Sequence, residues 1–119
     1  MTFVSGAPIY LQVVDDIKRR ILCGELKGGD KLPSNSDLAE LYKINPNTAQ
    51  RVSKSLEQYG ICYVRRGIGT FISEDDDMIE KLRTETVGQI CRDFIGRMSD
   101  LGYSPHETEA IICAKLKNE

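Results

Sequence analysis

Two adjacent capped helices, a pair of short β-prone runs around a glycine-rich tip, and a long apolar stripe at helical spacing predict the fold class of this 119-residue chain. It is mainly α with a small β-hairpin wing: a winged helix-turn-helix at residues 1–73, followed by a two-helix C-terminal dimerisation segment at residues 74–119.

Ile9, Val13, Val14, Ile17, Ile21 and Leu22 recur at helical spacing behind Pro8, which suits a first helical turn because a proline lacks the N–H left unpaired there. This first helix ends near Gly24, and GELKGGDKLP is a turn-rich connector in which Lys31-Leu32 can form a very short strand. Ser34 is an N-cap with Asp37 in the acidic position of a capping box, and Leu38, Ala39, Leu41 and Tyr42 supply the buried face of a second helix. Asn45 then caps a third helix that begins at Pro46, runs to Tyr59 and stops at Gly60, with Ala49, Val52, Ser53 and Leu56 as its core stripe. Residues 61–65 and 70–73 are strands joined by Arg66-Gly67-Ile68-Gly69. Beyond the acidic run Glu74 to Asp77, Ile79, Leu82, Val87, Ile90, Cys91, Phe94, Met98 and Leu101 mark a long amphipathic helix ending at Gly102. Ser104, Pro105 and Glu107 open a last helix that carries Ile111.

Composition narrows the function. The longest uninterrupted apolar run, Ala110 to Ala114, is far shorter than the roughly 20 residues of a bilayer span, and the opening MTFVSGAP lacks the basic flank and apolar core of a leader, so a cytoplasmic protein is expected. Cys23, Cys62, Cys91 and Cys113 are widely spaced with no CxxC pair, and His106 is the only histidine. Neither a zinc site nor a cysteine–histidine nucleophile has the parts it needs, and no cofactor is called for. The thiols are expected to be reduced and mostly buried, the alternative being a redox sensor with an exposed thiol of lowered pKa. The net charge of −2 divides unevenly: residues 1–73 hold ten Lys/Arg against seven Asp/Glu, and residues 74–119 hold six against eleven. A basic half that meets a polyanion and an acidic half that stays off it fit this division.

The third helix concentrates the chemistry. Asn45, Asn47, Thr48, Gln50 and Arg51 carry amides, a hydroxyl and a guanidinium, the groups that pair with base edges in the major groove or bind phosphate, and Lys54 follows one turn on. A polar helix face alone is equally the mark of a solvated surface. A hairpin that carries Arg65-Arg66 into a glycine tip tips the balance towards DNA, since such a tip can approach a phosphate or enter a minor groove.

Residues 8–73 resemble the GntR family of bacterial winged-helix transcription regulators, through the opening proline-aliphatic-tyrosine, GELKGGDKLPS, DLAELY, the NT of the third helix, LEQYG and RRGIGTF. The INPNTAQR segment and the short two-helix tail are similar to the YtrA-like subgroup. The resemblance implies double-stranded DNA as partner and a DNA-contacting set of Ser34, Asn35, Ser36, Asn45, Asn47, Thr48, Gln50, Arg51, Lys54, Arg65, Arg66, Gly67, Gly69 and Thr70. It also implies a repressor whose C-terminal part mainly dimerises and has little room for a large effector-binding domain, so an unknown small-molecule effector would need a cavity at the dimer interface or between tail and winged domain. The apolar stripe of residues 79–101 has two readings, a helix folded back on its own winged domain or, the favoured one, a helix that packs together with Ile111 against its equivalent in a second chain to give a homodimer. Relatives often place arginines where this chain has Ser36, Pro46 and Gln50, so its base preference should move from guanine towards adenine. Two other classes were weighed: a winged-helix protein-interaction module, which the modest basic charge allows, and an enzyme, for which no catalytic constellation is present.

Overall fold

The computed structural model describes residues 1–118. The chain runs α1 (Ile9–Leu22), α2 (Asn35–Tyr42), α3 (Pro46–Gln58), β1 (Cys62–Arg65), β2 (Gly69–Ile72), α4 (Asp76–Asp100) and α5 (Pro105–Lys117). Two compact units divide it, one covering Met1–Leu82 and the other from Arg83 onward, so the first turns of α4 belong to the first unit.

In the first unit α3 packs against α1, α2 and β1. Its Ala49, Val52 and Leu56, at i, i+3 and i+7, are fully buried and meet Val13, Val14 and Ile17 of α1 and Leu38 of α2 in one core that also takes in Leu32, Ile61 and Ile72. α2 and α3 begin as their caps dictate. Ser34 Oγ accepts from the Asp37 N–H at 3.1 Å, and Asn45 Oδ1 accepts from the Asn47 N–H at 2.8 Å with Pro46 at the first helical position. The turn between α2 and α3 passes through Lys43, which adopts the left-handed conformation (φ 55°) and sends its N–H back to the carbonyls of Ala39 and Glu40. Pro8 lies one position outside α1, and the Gln12 carboxamide ties down the arm before it by accepting from the Val4 N–H and donating to the Val4 and Ala7 carbonyls.

β1 and β2 pair antiparallel with Cys62 opposite Ile72 and Arg65 opposite Gly69. Lys31 bridges to Phe71 on the far side of β2, and the Leu32 N–H donates to the Thr70 carbonyl, so the brief strand expected at Lys31-Leu32 forms a third rung. In the second unit, Ser104 and Glu107 form a complete capping box on α5. The Asp75 carboxylate performs the same service for α4, accepting from the Asp77 and Met78 N–H groups.

Several expectations are corrected. Ile9 and Leu41 are exposed, because they lie at the edges of their apolar stripes and nothing in the unit reaches them. Ser53 is half-buried rather than core; its hydroxyl donates to Asn35 Oδ1 at 2.6 Å and so ties α3 to α2. Leu82 (5% exposed) lies in the core of the first unit and Ile79 packs against it, which withdraws both from the stripe expected to meet a second chain. Of the four thiols only Cys62 is buried, whereas Cys23, Cys91 and Cys113 are exposed. The first of these sits at the C-cap of α1, and the other two lie exposed on α4 and α5. Burial, reinforced by the nearby Glu57 charge, pushes the Cys62 thiol up to about 12. Among the described residues no helix is long and apolar enough to cross a membrane, and no group of His, Cys, Asp or Glu could hold a metal ion.

Candidate nucleic-acid interface

Burial of Ala49, Val52 and Leu56 fixes the rotation of α3, and the opposite side of a helix with 3.6 residues per turn is then Asn47, Gln50, Arg51, Lys54 and Gln58. All five are exposed. Thr48 is half-buried at the flank of the same helix, and Asn45, although exposed, has its side-chain oxygen engaged as the cap. Ser34, Asn35 and Ser36 are exposed at the start of α2, where the Ser34 oxygen serves the cap and the Asn35 oxygen receives Ser53. Ser36 stands exposed on the surface beside them.

Arg51 does not wave freely. Its guanidinium carbon lies 3.8 Å from the centroid of the Tyr10 ring, closer than any other cation–aromatic pair in the chain's described part, while Lys18 sits 5.4 Å from the Tyr59 ring farther along the same side. The tie between α1 and the helix-turn-helix is completed at Asp16. Its carboxylate accepts from the Tyr42 hydroxyl at 2.7 Å, from Arg20 Nε at 3.1 Å and from Arg19 Nε at 3.2 Å. Burial pulls the Asp16 carboxyl upward, but the hydrogen bonds from Tyr42, Arg20 and Arg19 together outweigh it and hold the group below the ordinary aspartate range. Burial first, and then the bond to Asp16, push the Tyr42 phenol above its usual range.

The wing has two faces. Cys62 and Ile72 turn to the core, and by alternation Val64 and Thr70 share that side, with Thr70 half-buried. Tyr63, Arg65, Gly69 and Phe71 share the outer side; the Tyr63 and Phe71 rings stack at 5.8 Å and the Arg65 guanidinium lies 5.8 Å from the Phe71 ring. Arg66 and Gly67 form the exposed tip, where Gly67 takes a positive φ (78°) with open space around it. Gly69 takes a backbone angle (φ 148°) that residues with a side chain rarely adopt. A Cβ there would stand 2.6 Å from Lys31 Cε, so the Lys31 side chain passes close over this glycine at the base of the wing. Sequence reasoning gave no role to Lys31 or Tyr10, although both lie in segments it singled out, the brief strand at Lys31-Leu32 and the opening Pro8-Ile9-Tyr10.

The model of the family described as bacterial regulatory proteins, gntR family, matches residues 9–72. The chain belongs to the GntR family. This GntR protein is 41% identical over 105 residues to the HTH-type transcriptional regulator YhcF of Bacillus subtilis, covering 88% of this chain and 87% of that one. It is 46% identical over 71 residues to the transcriptional repressor YtrA of the same organism, covering 60% of this chain and 55% of the repressor. Among solved structures, a GntR family transcriptional regulator from Listeria monocytogenes superposes with a TM-score of 0.85 at 37% identity over 98% of this chain and 99% of that one. The DNA-binding domain of AraR, solved in complex with operator ORX1, matches 60% of this chain and 93% of its own at a TM-score of 0.56 and 25% identity. The winged helix with C-terminal helices is therefore the fold of a transcription regulator and not of an enzyme.

Proposed function

We propose that this GntR protein is a homodimeric repressor that places α3 in the major groove of an inverted-repeat operator and sets its wing against the adjacent minor groove or backbone. One observation carries the reading: a helix whose inner side is fully buried presents Asn47, Gln50, Arg51 and Lys54 outward over its first turns, a row of amides and cations, and its one carboxylate, the exposed Glu57, comes only in the last turn. Lys31, Arg65 and Arg66 on the wing extend the positive surface beyond that helix. Asn47 and Gln50 favour adenine, and Arg51 favours guanine or phosphate.

Dimerisation is supported by apolar surface that a lone chain leaves in water. Ile90 (63% exposed), Val87, Phe94, Ile95 and Leu101 (73% exposed) are exposed on and just beyond the second half of α4, and Ile112 and Leu116 on α5. Ile90, Phe94, Met98 and Leu101 line a groove of about 450 Å³ that also carries Asp93 and Arg97, charges of opposite sign that a twofold-related copy can match. We assign the DNA-binding part to the first unit and the dimerising part to the helices after it, and an effector that altered this interface would change the spacing of the two recognition helices.

Sequencing of duplexes recovered by the purified protein from a random pool tests the reading. Enrichment of an inverted repeat with half-site centres about one turn apart, roughly 10 base pairs, is expected. Recovery of unenriched sequence at physiological salt refutes sequence-specific binding, and a monomer in sedimentation at micromolar concentration refutes the dimer.

A further inference from the structure

We propose that Tyr10 is a positioning residue for DNA recognition: its ring holds the Arg51 guanidinium stacked beside α3, with the edge of the fork free to bind a pair of acceptors on the duplex. The inference rests on α3 entering the major groove. Tyr10 stands in the first turn of α1, half-buried and packed against the core, so its ring is a fixed surface. Arg51 projects from the exposed side of α3, and its guanidinium carbon is 3.8 Å from the ring centroid, against 5.4–5.8 Å for the Lys18–Tyr59, Arg20–Tyr42 and Arg65–Phe71 pairs. That separation is the contact distance of one flat group lying on another.

The chemistry of the pair makes the contact useful. Arginine has five N–H donors, all in the plane of the guanidinium, and stacking engages its face without consuming any of them. No carboxylate within ion-pair distance of Arg51 occurs among the described residues, in contrast to Arg19 and Arg20, which Asp16 and Glu25 occupy. An arginine restrained by an aromatic surface and left without an acidic partner loses less side-chain freedom on binding than one loose in solvent. Its target is a bidentate acceptor, either O6 and N7 of guanine or two oxygens of one phosphate. Arg51 is the one arginine on α3, so this supported cation is the only guanidinium that helix offers.

A double-mutant cycle on the full chain, read by fluorescence anisotropy against the duplex selected from the random pool, tests the assignment. Tyr10→Leu keeps apolar packing but removes the ring, and should weaken operator binding about two- to five-fold, the range of an exposed cation–π contact. Tyr10→Phe should bind like the parent, and Tyr10→Leu should add nothing in an Arg51→Ala background. In the free protein the Arg51 Hε proton should resonate upfield from the ring current and return to its ordinary position in Tyr10→Leu, a readout that needs no DNA. Independent, multiplying effects of the two substitutions overturn the proposal, as does tighter binding by Tyr10→Leu, which would mean that the ring stores Arg51 away from the duplex. If Tyr10→Phe is as weak as Tyr10→Leu, the hydroxyl and not the ring matters, and the proposal also falls. Weakening by Arg51→Ala without any effect of Tyr10→Leu refutes the role of Tyr10 alone, whereas no effect of Arg51→Ala refutes the contact by Arg51 itself. A lower ratio of operator to random-duplex affinity in Arg51→Ala identifies guanine as the acceptor, and a uniform loss identifies phosphate.

Discussion

Replacing Asp16 by Ala should destabilise the DNA-binding unit by about 2–3 kcal/mol at pH 7, most of it through Tyr42. The substitution removes three acceptor contacts at once from a carboxylate that is 15% exposed. The bond from Arg19, a side chain more than half exposed, contributes little, and Arg20 can turn back to water. Tyr42 cannot, because it is 5% exposed; its hydroxyl would be left buried without an acceptor, at a cost of roughly 1–3 kcal/mol. For a unit of this size, with a total stability of roughly 4–12 kcal/mol, such a loss lowers the thermal midpoint by about 10–20 °C. Urea denaturation followed by circular dichroism measures it, with Asp16→Asn as a control that keeps the shape and removes the charge. The pH dependence has a definite sign. The folded-state pKa of Asp16 lies below the ordinary 3.8, so its stabilisation is complete above that value and disappears as the pH falls through the lowered one. The gap between the parent and Asp16→Ala should therefore be fully open at pH 6 and narrow as the pH falls through the lowered pKa, by the part of the stabilisation that the charge supplies. A variant within about 0.5 kcal/mol of the parent at pH 7 would refute the account of this cluster, and a gap that persists unchanged in acid would refute the contribution of the charge.

Asn47→Ala should cost about 1–3 kcal/mol in operator binding and relax the preference at one base pair, whereas Arg66→Ala should weaken all duplexes alike and lower the salt slope by about one; anisotropy titrations at several salt concentrations separate the two. Lys43→Gly should stabilise the protein by up to about 1 kcal/mol, because Lys43 holds a left-handed backbone that glycine adopts without penalty, and a lower denaturation midpoint would contradict this. Cys62 should resist thiol reagents until the protein unfolds, while Cys23 and Cys113 react at once, as mass spectrometry after brief labelling would show. Phe94→Glu should shift sedimentation towards the monomer and weaken operator binding together; a stable dimer in this variant would exclude the groove on α4 as the interface.

Local signals in the chain were enough to place the starts of α2, α3 and α5. Ser34, Asn45-Pro46 and Ser104-Pro105 are short-range instructions, each satisfied within a few residues of itself: all three side chains cap their helices, and of the two boxes expected the reciprocal pair is seen at Ser104 and Glu107. The apolar spacing of α3 likewise decided which of its faces is buried, and with it the outward row from Asn47 to Gln58. What the sequence could not decide is where a periodic stripe finds its partner. Ile79 and Leu82 continue the same helical pattern as Ile90 and Phe94, yet the first pair closes the core of the winged unit and the second stays in water. Residues far apart in the chain met only through packing: Tyr10 with Arg51, Asp16 with Tyr42, and Lys31 with Gly69. Capping and periodicity act over a turn or two and are written in neighbouring residues, but stacking, ion pairing and close approach depend on which faces tertiary burial turns towards one another.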